Sequence, residues 1–409
     1  MSDVTPIKSI CILGRQPSLG LAELESLYGS SAVSLVSPHA AGLTLGSADV
    51  DFRRLGGSTR LCTVLAELPS TDWKKVELYL INNVSSHIQH VPDGKLKLGL
   101  SAVGIAVSPG KLIASGLTLK KVLRKSGRSV RLVPNQTTEL STAQVLHNNL
   151  TENLGCEFVA IATDRGTTLL AQTVSVQDIN SYTVRDRGRP KRDARVGMLP
   201  PKLAQIIINL AVGNTNPLYG AVVLDPFCGT GVILQESMLM DFTTYGTDLE
   251  QRMIDYSKAN QKWLHQLPQE QLPPHGMDNY YRVEVGDATS HIWQLTGRLD
   301  FVATETYLGR PFTTQPSGEI LARTVSECSL IIKKFLKNIH GQLPPGTRLC
   351  VAVPAWQTRP GIFKHLPVVD SLEEMGYNRV SFEHVLDEQL LYYREDQIVA
   401  RELLVLTRK

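Results

Sequence analysis

The run Leu224-Asp225-Pro226-Phe227-Cys228-Gly229-Thr230-Gly231, LDPFCGTG, follows the apolar stretch Val222–Leu224 and precedes Val232–Met240, which suits a helix. A glycine-rich turn between a strand and a helix lets backbone N–H groups approach a ligand at the positive end of the helix. It is not a phosphate loop. It lacks G-K-[ST], and its glycines do not follow the spacing G-x-G-x-x-G. An acid, Asp225, opens the turn instead. A carboxylate there suits a cationic or amino-bearing group and repels a pyrophosphate. Asp225 also has a plainer reading, as a cap on the helix that follows.

Downstream, short apolar runs alternate with helical periods: Thr244–Thr247, Gln251–His265, Arg282–Val285, Phe301–Thr304, Leu321–Ile339, Arg348–Val353 and a further helix. A closing pair, Ser381–His384 and Gln397–Leu406, is expected as an antiparallel hairpin through Tyr392–Tyr393–Arg394. Strand–helix alternation of this kind implies βαβ units and a parallel sheet. The second run ends at Asp248, 23 residues after Asp225, with Glu250 beyond it. In doubly wound nucleotide sites an acid at that place takes ribose hydroxyls. The third ends in Gly286–Asp287–Ala288–Thr289, where an acid can accept from an adenine amine. Three acids at the ends of three successive parallel strands meet in the crevice where such sheets bind ligands. They describe a pocket for an adenosine with a cationic amino-acid tail, S-adenosylmethionine. Asp225, Pro226, Phe227, Gly229, Gly231, Asp248, Leu249, Asp287 and Ala288 are the residues expected to hold it.

The chain has 409 residues, 42% hydrophobic and 20% charged, which excludes a disordered or fibrous polypeptide. No window reaches the roughly 18 consecutive apolar residues of a bilayer span, and the first residues lack a secretory signal. Six cysteines stand far apart with no C-x-x-C pair, and the histidines show no ligand spacing. A cytoplasmic protein without a metal or a membrane partner is expected. The net charge of +3 is mild, but its distribution is not. From Lys111 to Arg131 there are seven basic residues and no acid; from Tyr182 to Lys202 there are seven more against Asp186 and Asp193. Lys120, Lys121, Arg124, Lys125 and Arg128, on and just after a basic helix, are candidates for polyanion contact, as are Arg185, Arg187 and Arg189. Each run can also be a solvated face, and the second can be a flexible hinge.

These motifs together resemble a known family. LDPFCGTG, GTDLE (246–250), GDAT (286–289) and the fourth-strand segment DFVATETYLG (300–309) resemble the THUMP-containing RNA methyltransferases. Most similar is the tRNA guanosine-10 N2-methyltransferase family of archaea and eukaryotes. RDRGRPKRDARVGMLPPKLAQIIINLA resembles the segment before that family's catalytic domain. ILGRQPSLGLAELESL and SGLTLKKVLRKSGRSVRLVP resemble its ferredoxin-like and THUMP regions. The resemblance implies an α/β protein: a Rossmann-like methyltransferase domain, its parallel sheet closed by an antiparallel hairpin, preceded by an α+β region. The implied parts are a ferredoxin-like region at 1–70, a THUMP RNA-binding domain at 71–177, a basic linker at 178–202 and the methyltransferase domain at 203–409.

In that family the fourth strand ends in [D/N]-P-P-[Y/F], where acid and backbone carbonyl accept the hydrogens of an exocyclic amine and the aromatic stacks on the flipped base. Here Thr304, Glu305, Thr306 and Tyr307 stand there. Tyr307 keeps the stacking role, and Glu305 or Thr304 is left to take the amine. Cys228 raises a thiol nucleophile beside its plainer role as a packing residue. Trp356 and Phe312 are further candidates to line the base pocket. The implied activity is N2-methylation of a tRNA guanosine, position 10 favoured. Another tRNA or ribosomal RNA guanosine, or a silent tRNA-binding module, is the alternative. A small activating subunit is left open.

Overall fold

The computed structural model describes residues 6–193, 198–215, 220–268, 272, 281–294 and 299–409. The chain divides into two compact units. One comprises residues up to Ile179 without 18–29 and 54–56; the other comprises those two pieces and Asn180–Lys409.

The first unit is built on strands β1 (Ser9–Leu13), β2 (Val33–Ser37), β3 (Ala40–Leu43), β4 (Ser58–Leu68), β5 (Leu96–Val103), β6 (Val130–Leu132), β7 (Gly155–Ala162) and β8 (Thr168–Val176). They form one sheet in the order β2-β3-β1-β4-β8-β7-β5-β6. Only the β5–β6 and β5–β7 pairings are parallel. Strands from both sides of residue 70, where the sequence suggests a boundary, share this sheet, because β4 pairs along its length with β8. Helices α1 (Pro17–Tyr28), α2 (Trp73–His87), α3 (Pro109–Lys125) and α4 (Thr142–His147) lie among these strands in the chain. The α3 start is set by Ser108, whose hydroxyl accepts from the Lys111 N–H, and by Pro109 in the first turn. Leu112, Leu119 and Leu123 turn inward with Ser115 and Gly116, at helical spacing. Lys121, Arg124 and Lys125 are left exposed and Lys120 half-buried. Arg128 is engaged elsewhere: its guanidinium donates to the Val91 and Pro92 carbonyls and pairs with Asp93 at 3.5 Å.

The second unit contains α5 (Ile179–Thr183, its first residue excepted), α6 (Pro201–Val212), α7 (Val232–Leu239), α8 (Gln251–Leu264) and α9 (Gly318–His340). Its strands are β9 (Val222–Asp225), β10 (Thr243–Asp248), β11 (Tyr281–Val285), β12 (Phe301–Glu305), β13 (Arg348–Arg359), β14 (Ile362–Lys364), β15 (Tyr377–Arg379), β16 (Leu391–Tyr392) and β17 (Val399–Arg408). The order β11-β10-β9-β12-β13-β17-β15 is parallel through β13 and antiparallel after it. From β9 the chain winds outward through β10 and β11, then returns to β12 on the other side. The crevice at the carboxyl ends of β9 and β12 is therefore the switch point where such sheets take ligands. Along α9, Leu321, Val325, Cys328, Ile332, Phe335, Leu336 and Ile339 are buried in the main core, and Phe335 meets Phe227 edge-on at 5.1 Å.

Three expectations are corrected. The edge strand is β15 at Tyr377–Arg379, not 381–384; the N–H groups of Glu383 and His384 go to the Glu25 carboxylate instead of a ladder. No further α-helix follows β13 among the described residues. That strand runs on to Arg359, and the Pro360–Gly361 turn, with Gly361 at φ 74°, returns it as β14 before a short 3-10 turn at Pro367–Ser371. The basic linker is exposed only in part: Arg187, Gly188, Pro190, Lys191 and Arg192 are exposed. Val184–Gly188 winds as a π-helical turn, and Arg185, Arg189 and Asp193 are buried; 194–197 lie outside the described residues.

Candidate active site

Asp225 ends β9 and is 2% exposed. Its Oδ1 accepts from the Phe227 N–H at 3.2 Å and from the Thr304 hydroxyl at 2.6 Å. Burial pushes its pKa up to about 7, the Thr304 and Phe227 donors pulling the other way and the nearby acids Asp248 and Glu305 adding to the rise. The turn after it is fixed by β10: Cys228 N–H donates to the Thr247 carbonyl, the Thr247 hydroxyl to the Pro226 carbonyl, and Gly229 N–H to Asp248 Oδ2 at 3.0 Å.

The two glycines of the turn differ. Gly231 has φ 81°, and a Cβ there would lie 2.3 Å from Ser257 Oγ, so it is glycine for the fold. Gly229 has φ 49°, but a Cβ there would meet nothing closer than the Phe227 carbonyl oxygen at 4.0 Å. The space in front of it is open, which is the cradle a ligand needs.

That space belongs to a cavity of about 600 Å³, of a size for a nucleoside-containing small molecule. Asp225, Asp248 and Asp287 all line it, with Leu249, Glu305 and Tyr307. Asp248 uses Oδ1 for the Glu250 N–H at 2.9 Å and Oδ2 for Gly229, so it shapes the turn as well as facing the cavity. Burial raises its pKa. Asp287 takes the N–H and hydroxyl of Thr289 on one oxygen, at 2.9 and 2.8 Å. Leu249 is 70% exposed, an aliphatic side chain held open at the rim, while Ala288 is buried.

The fourth-strand residues separate. Thr304 is fully buried and outside the lining; its hydroxyl is committed to Asp225. The expectation that it takes a substrate amine is corrected on that ground. Glu305 lines the cavity and its Oε1 accepts from Arg401 Nε at 2.7 Å. Burial raises the Glu305 pKa against the pull of Arg401. Tyr307, 39% exposed, lines the same cavity. Cys228 packs with Leu234, Ile254 and Val283, and burial pushes its thiol well up, away from nucleophilic thiolate. Trp356 is fully buried, and neither it nor Phe312 lines the cavity.

Among the basic candidates, Arg185 is not available to a polyanion. Its Nε is 2.8 Å from Glu236 Oε1, both side chains nearly inaccessible. Arg189 is 2% exposed, while Arg187 is exposed. The linker contributes to the site in a way that its basic composition does not signal. Asp193, Met198 and Leu199 line the cavity, and Asp193 pairs with Arg252 at 2.8 Å. Asn260 clamps the linker to the glycine turn, exchanging bonds of 2.9 Å with both backbone groups of Lys191 and donating to the Thr230 carbonyl. Among the described residues no group of acids, histidines and cysteines is placed to hold a metal, the six cysteines are buried, and no helix is long and apolar enough to cross a membrane.

The second unit thus has the Rossmann-like fold of the methyltransferases, with its parallel sheet closed by antiparallel strands. Over 99% of this chain and all of the other, the structure resembles TrmN from Thermus thermophilus at a TM-score of 0.50 and 16% identity. In sequence, the chain is 30% identical over 159 residues to a tRNA (guanine(10)-N2)-dimethyltransferase of Methanothermobacter thermautotrophicus, covering 39% of each chain. It is 31% identical over 158 residues to that of Pyrococcus abyssi, covering 38% of this chain and 39% of the other. With the tRNA (guanine(10)-N(2))-methyltransferase TRMT11 of Xenopus laevis it shares 28% over 152 residues, 34% of this chain and 29% of the other. The matches span about two fifths of the length of the archaeal relatives. No protein-family model matches the chain.

Proposed function

We propose that this protein is an S-adenosylmethionine-dependent methyltransferase acting on the exocyclic N2 amine of a guanosine in tRNA, position 10 favoured. The observation that carries the chemistry is that Asp225, Asp248 and Asp287 line one cavity together with the open Gly229, Glu305 and Tyr307. The residues fit the cofactor. Asp225 suits the cationic amino group of its tail, Asp248 the ribose hydroxyls, Asp287 the adenine amine and Leu249 an adenine face. When bound, S-adenosylmethionine supplies a methyl on a sulfonium, whose electron pair stays on sulfur as a nucleophilic nitrogen takes the carbon. The chain's own part is positioning: Tyr307 stacks the base, and Glu305 accepts an amine hydrogen so that the nitrogen lone pair is aimed. Because Glu305 lines the cavity, the enzyme reading is favoured over that of a silent binding module.

The substrate rests on the relatives, whose names specify guanine 10 of tRNA. The first unit, with Lys121, Arg124 and Lys125 exposed along α3, is assigned the THUMP role of gripping tRNA by shape and phosphate charge. Buried cysteines with wide spacing and no C-x-x-C pair accord with the cytoplasm. The test is transfer of labelled methyl from S-adenosylmethionine to unmodified tRNA, with nucleoside mass spectrometry. N2-methylguanosine is expected, lost in Glu305→Gln. Tight binding of cofactor and tRNA without transfer would leave only the binding module.

A further inference from the structure

Resting on that reading, we infer that Arg401 is the positioning residue for Glu305. The acceptor at the end of β12 is then a carboxylate–guanidinium pair assembled from two strands. The sheet register sets the pair up. Glu305 stands beside Ala352 of β13, Ala352 beside Leu403 of β17, and Arg401 opposite Pro354. Side chains two residues apart on a strand share a face, so Glu305, Ala352, Pro354 and Arg401 lie on one side of the sheet. The methyl of Ala352 leaves the room through which Arg401 crosses β13. Its Nε comes within 2.7 Å of Glu305 Oε1, the two side chains 7% and 16% exposed. Tyr392 of β16 lies under the guanidinium at 6.0 Å.

The consequence is geometric first. A free glutamate rotates about three bonds, whereas a charge-assisted hydrogen bond on Oε1 fixes the carboxylate plane. Oε2, with no hydrogen bond to the described residues, is left for the cavity that Glu305 lines. The second consequence concerns the proton. An amine nitrogen that has taken a methyl carries one proton too many, and Oε2 can receive it only if Glu305 is ionised beforehand. Burial opposes the ionised form of Glu305 and Arg401 from β17 favours it, while the charge of Glu305 in turn raises the pKa of Asp225 of β9. The same shift of acceptor from the first to the second position of the motif explains why Thr304 is free to serve Asp225.

The test compares wild type with Arg401→Met, Arg401→Lys and Glu305→Gln in the full-length chain. Infrared titration of the ligand-free protein follows the protonated-carboxyl band that Glu305→Gln removes. Arg401→Met should move its midpoint up by about one pH unit or more, and Arg401→Lys should return most of it. The acidic limb of kcat on tRNA should move with it, lowering kcat near neutrality by about tenfold, while calorimetric affinity for S-adenosylmethionine stays within about twofold. Arg401→Lys serves the same comparison if Arg401→Met does not fold. A midpoint that ignores residue 401, or a midpoint that moves while the kcat limb does not, overturns the inference. A wild type that titrates as expected yet methylates nothing overturns the proposed activity and leaves the pair standing.

Discussion

Thr304 Oγ1 in β12 donates a 2.6 Å hydrogen bond to Asp225 Oδ1 in β9, and this bond spans the two strands between which the sheet reverses its order. It joins the first and fourth parallel strands inside the crevice and holds the acid that opens the glycine turn. The same residue that departs from the [D/N]-P-P-[Y/F] pattern is therefore a support for the glycine-turn side of the cavity.

Asp225 sets stability against binding. Its pKa of about 7 in the folded chain lies far above that of an unfolded aspartate near 4. Below about pH 4 both states are protonated and the group contributes nothing. Between about 4 and 7 the unfolded chain ionises first, so the ligand-free protein loses stability as pH rises. The loss comes to roughly a few kcal/mol, since each tenfold change in an acid constant is worth about 1.4 kcal/mol. Asp225→Asn keeps an acceptor for Thr304 and Phe227 but cannot ionise. It should melt higher than wild type at pH 8 and about equally at pH 4. Its affinity for S-adenosylmethionine should fall about 10- to 100-fold, because a charge-assisted bond is removed. Equal melting temperatures at pH 8 would refute the buried-acid account.

How much of this is legible in the sequence follows from what kind of signal each residue emits. The acids at strand ends and the glycine turn are local patterns, and Asp225, Asp248 and Asp287 are readable because strand alternation fixes which ends meet. Arg401 emits none. It lies 96 residues from Glu305, and only the β12–β13–β17 register brings them together. Arg185 misleads for a related reason: a basic stretch reads as surface until its partner, Glu236, is known to be buried beside it. The edge strand is misplaced because Glu25, far back in the chain, takes the N–H groups of 383 and 384, a competition invisible in the local composition.

The two glycines of the turn should fail differently. Gly231→Ala puts a methyl against Ser257 in a left-handed conformation, costing at least about 1–2 kcal/mol from the backbone alone. A drop in melting temperature is expected, partly restored by Ser257→Gly. Gly229→Ala also carries some backbone strain, but its methyl enters the open cavity. Its melting temperature should fall less and its cofactor affinity more, measured by thermal unfolding and calorimetry in parallel. The reverse ranking would mean that the cavity is not the cofactor site.

Charge on α3 and charge in the linker should also separate. Lys121→Glu, Arg124→Glu and Lys125→Glu together should weaken tRNA binding and flatten the slope of log affinity against log salt, by about 0.7–0.9 for each phosphate no longer neutralised. Arg185→Ala should instead destabilise the chain by about 3–5 kcal/mol, because it leaves Glu236 buried without its counter-ion. A salt slope unchanged by the triple reversal would remove α3 from the tRNA face.

The second unit should not survive as residues 180–409 alone. Residues 18–29 and 54–56 belong to it and satisfy its interior. Glu23 Oε1 accepts from Asn209 Nδ2 at 2.7 Å and from the Gly56 N–H at 2.9 Å. Arg54 Nε donates to Asn209 Oδ1 at 2.9 Å, and the Ser26 hydroxyl accepts from Arg348 at 3.0 Å. Glu25 takes the two N–H groups before the final strands. Cutting at 180 removes all of these and exposes the apolar surface that α1 covers, and each buried polar group left unpaired costs about 1–3 kcal/mol. Among the groups left behind, Asn209 is fully buried and loses a partner at each end of its amide, which together with the uncovered apolar face is large against the about 5–15 kcal/mol by which a domain is stable. The truncated chain is expected to lack cooperative unfolding and cofactor binding, whereas Glu23→Ala in the full chain should lower stability by a few kcal/mol and leave binding intact. A soluble 180–409 fragment with a sharp melting transition would show that these bonds decorate a unit already complete without them.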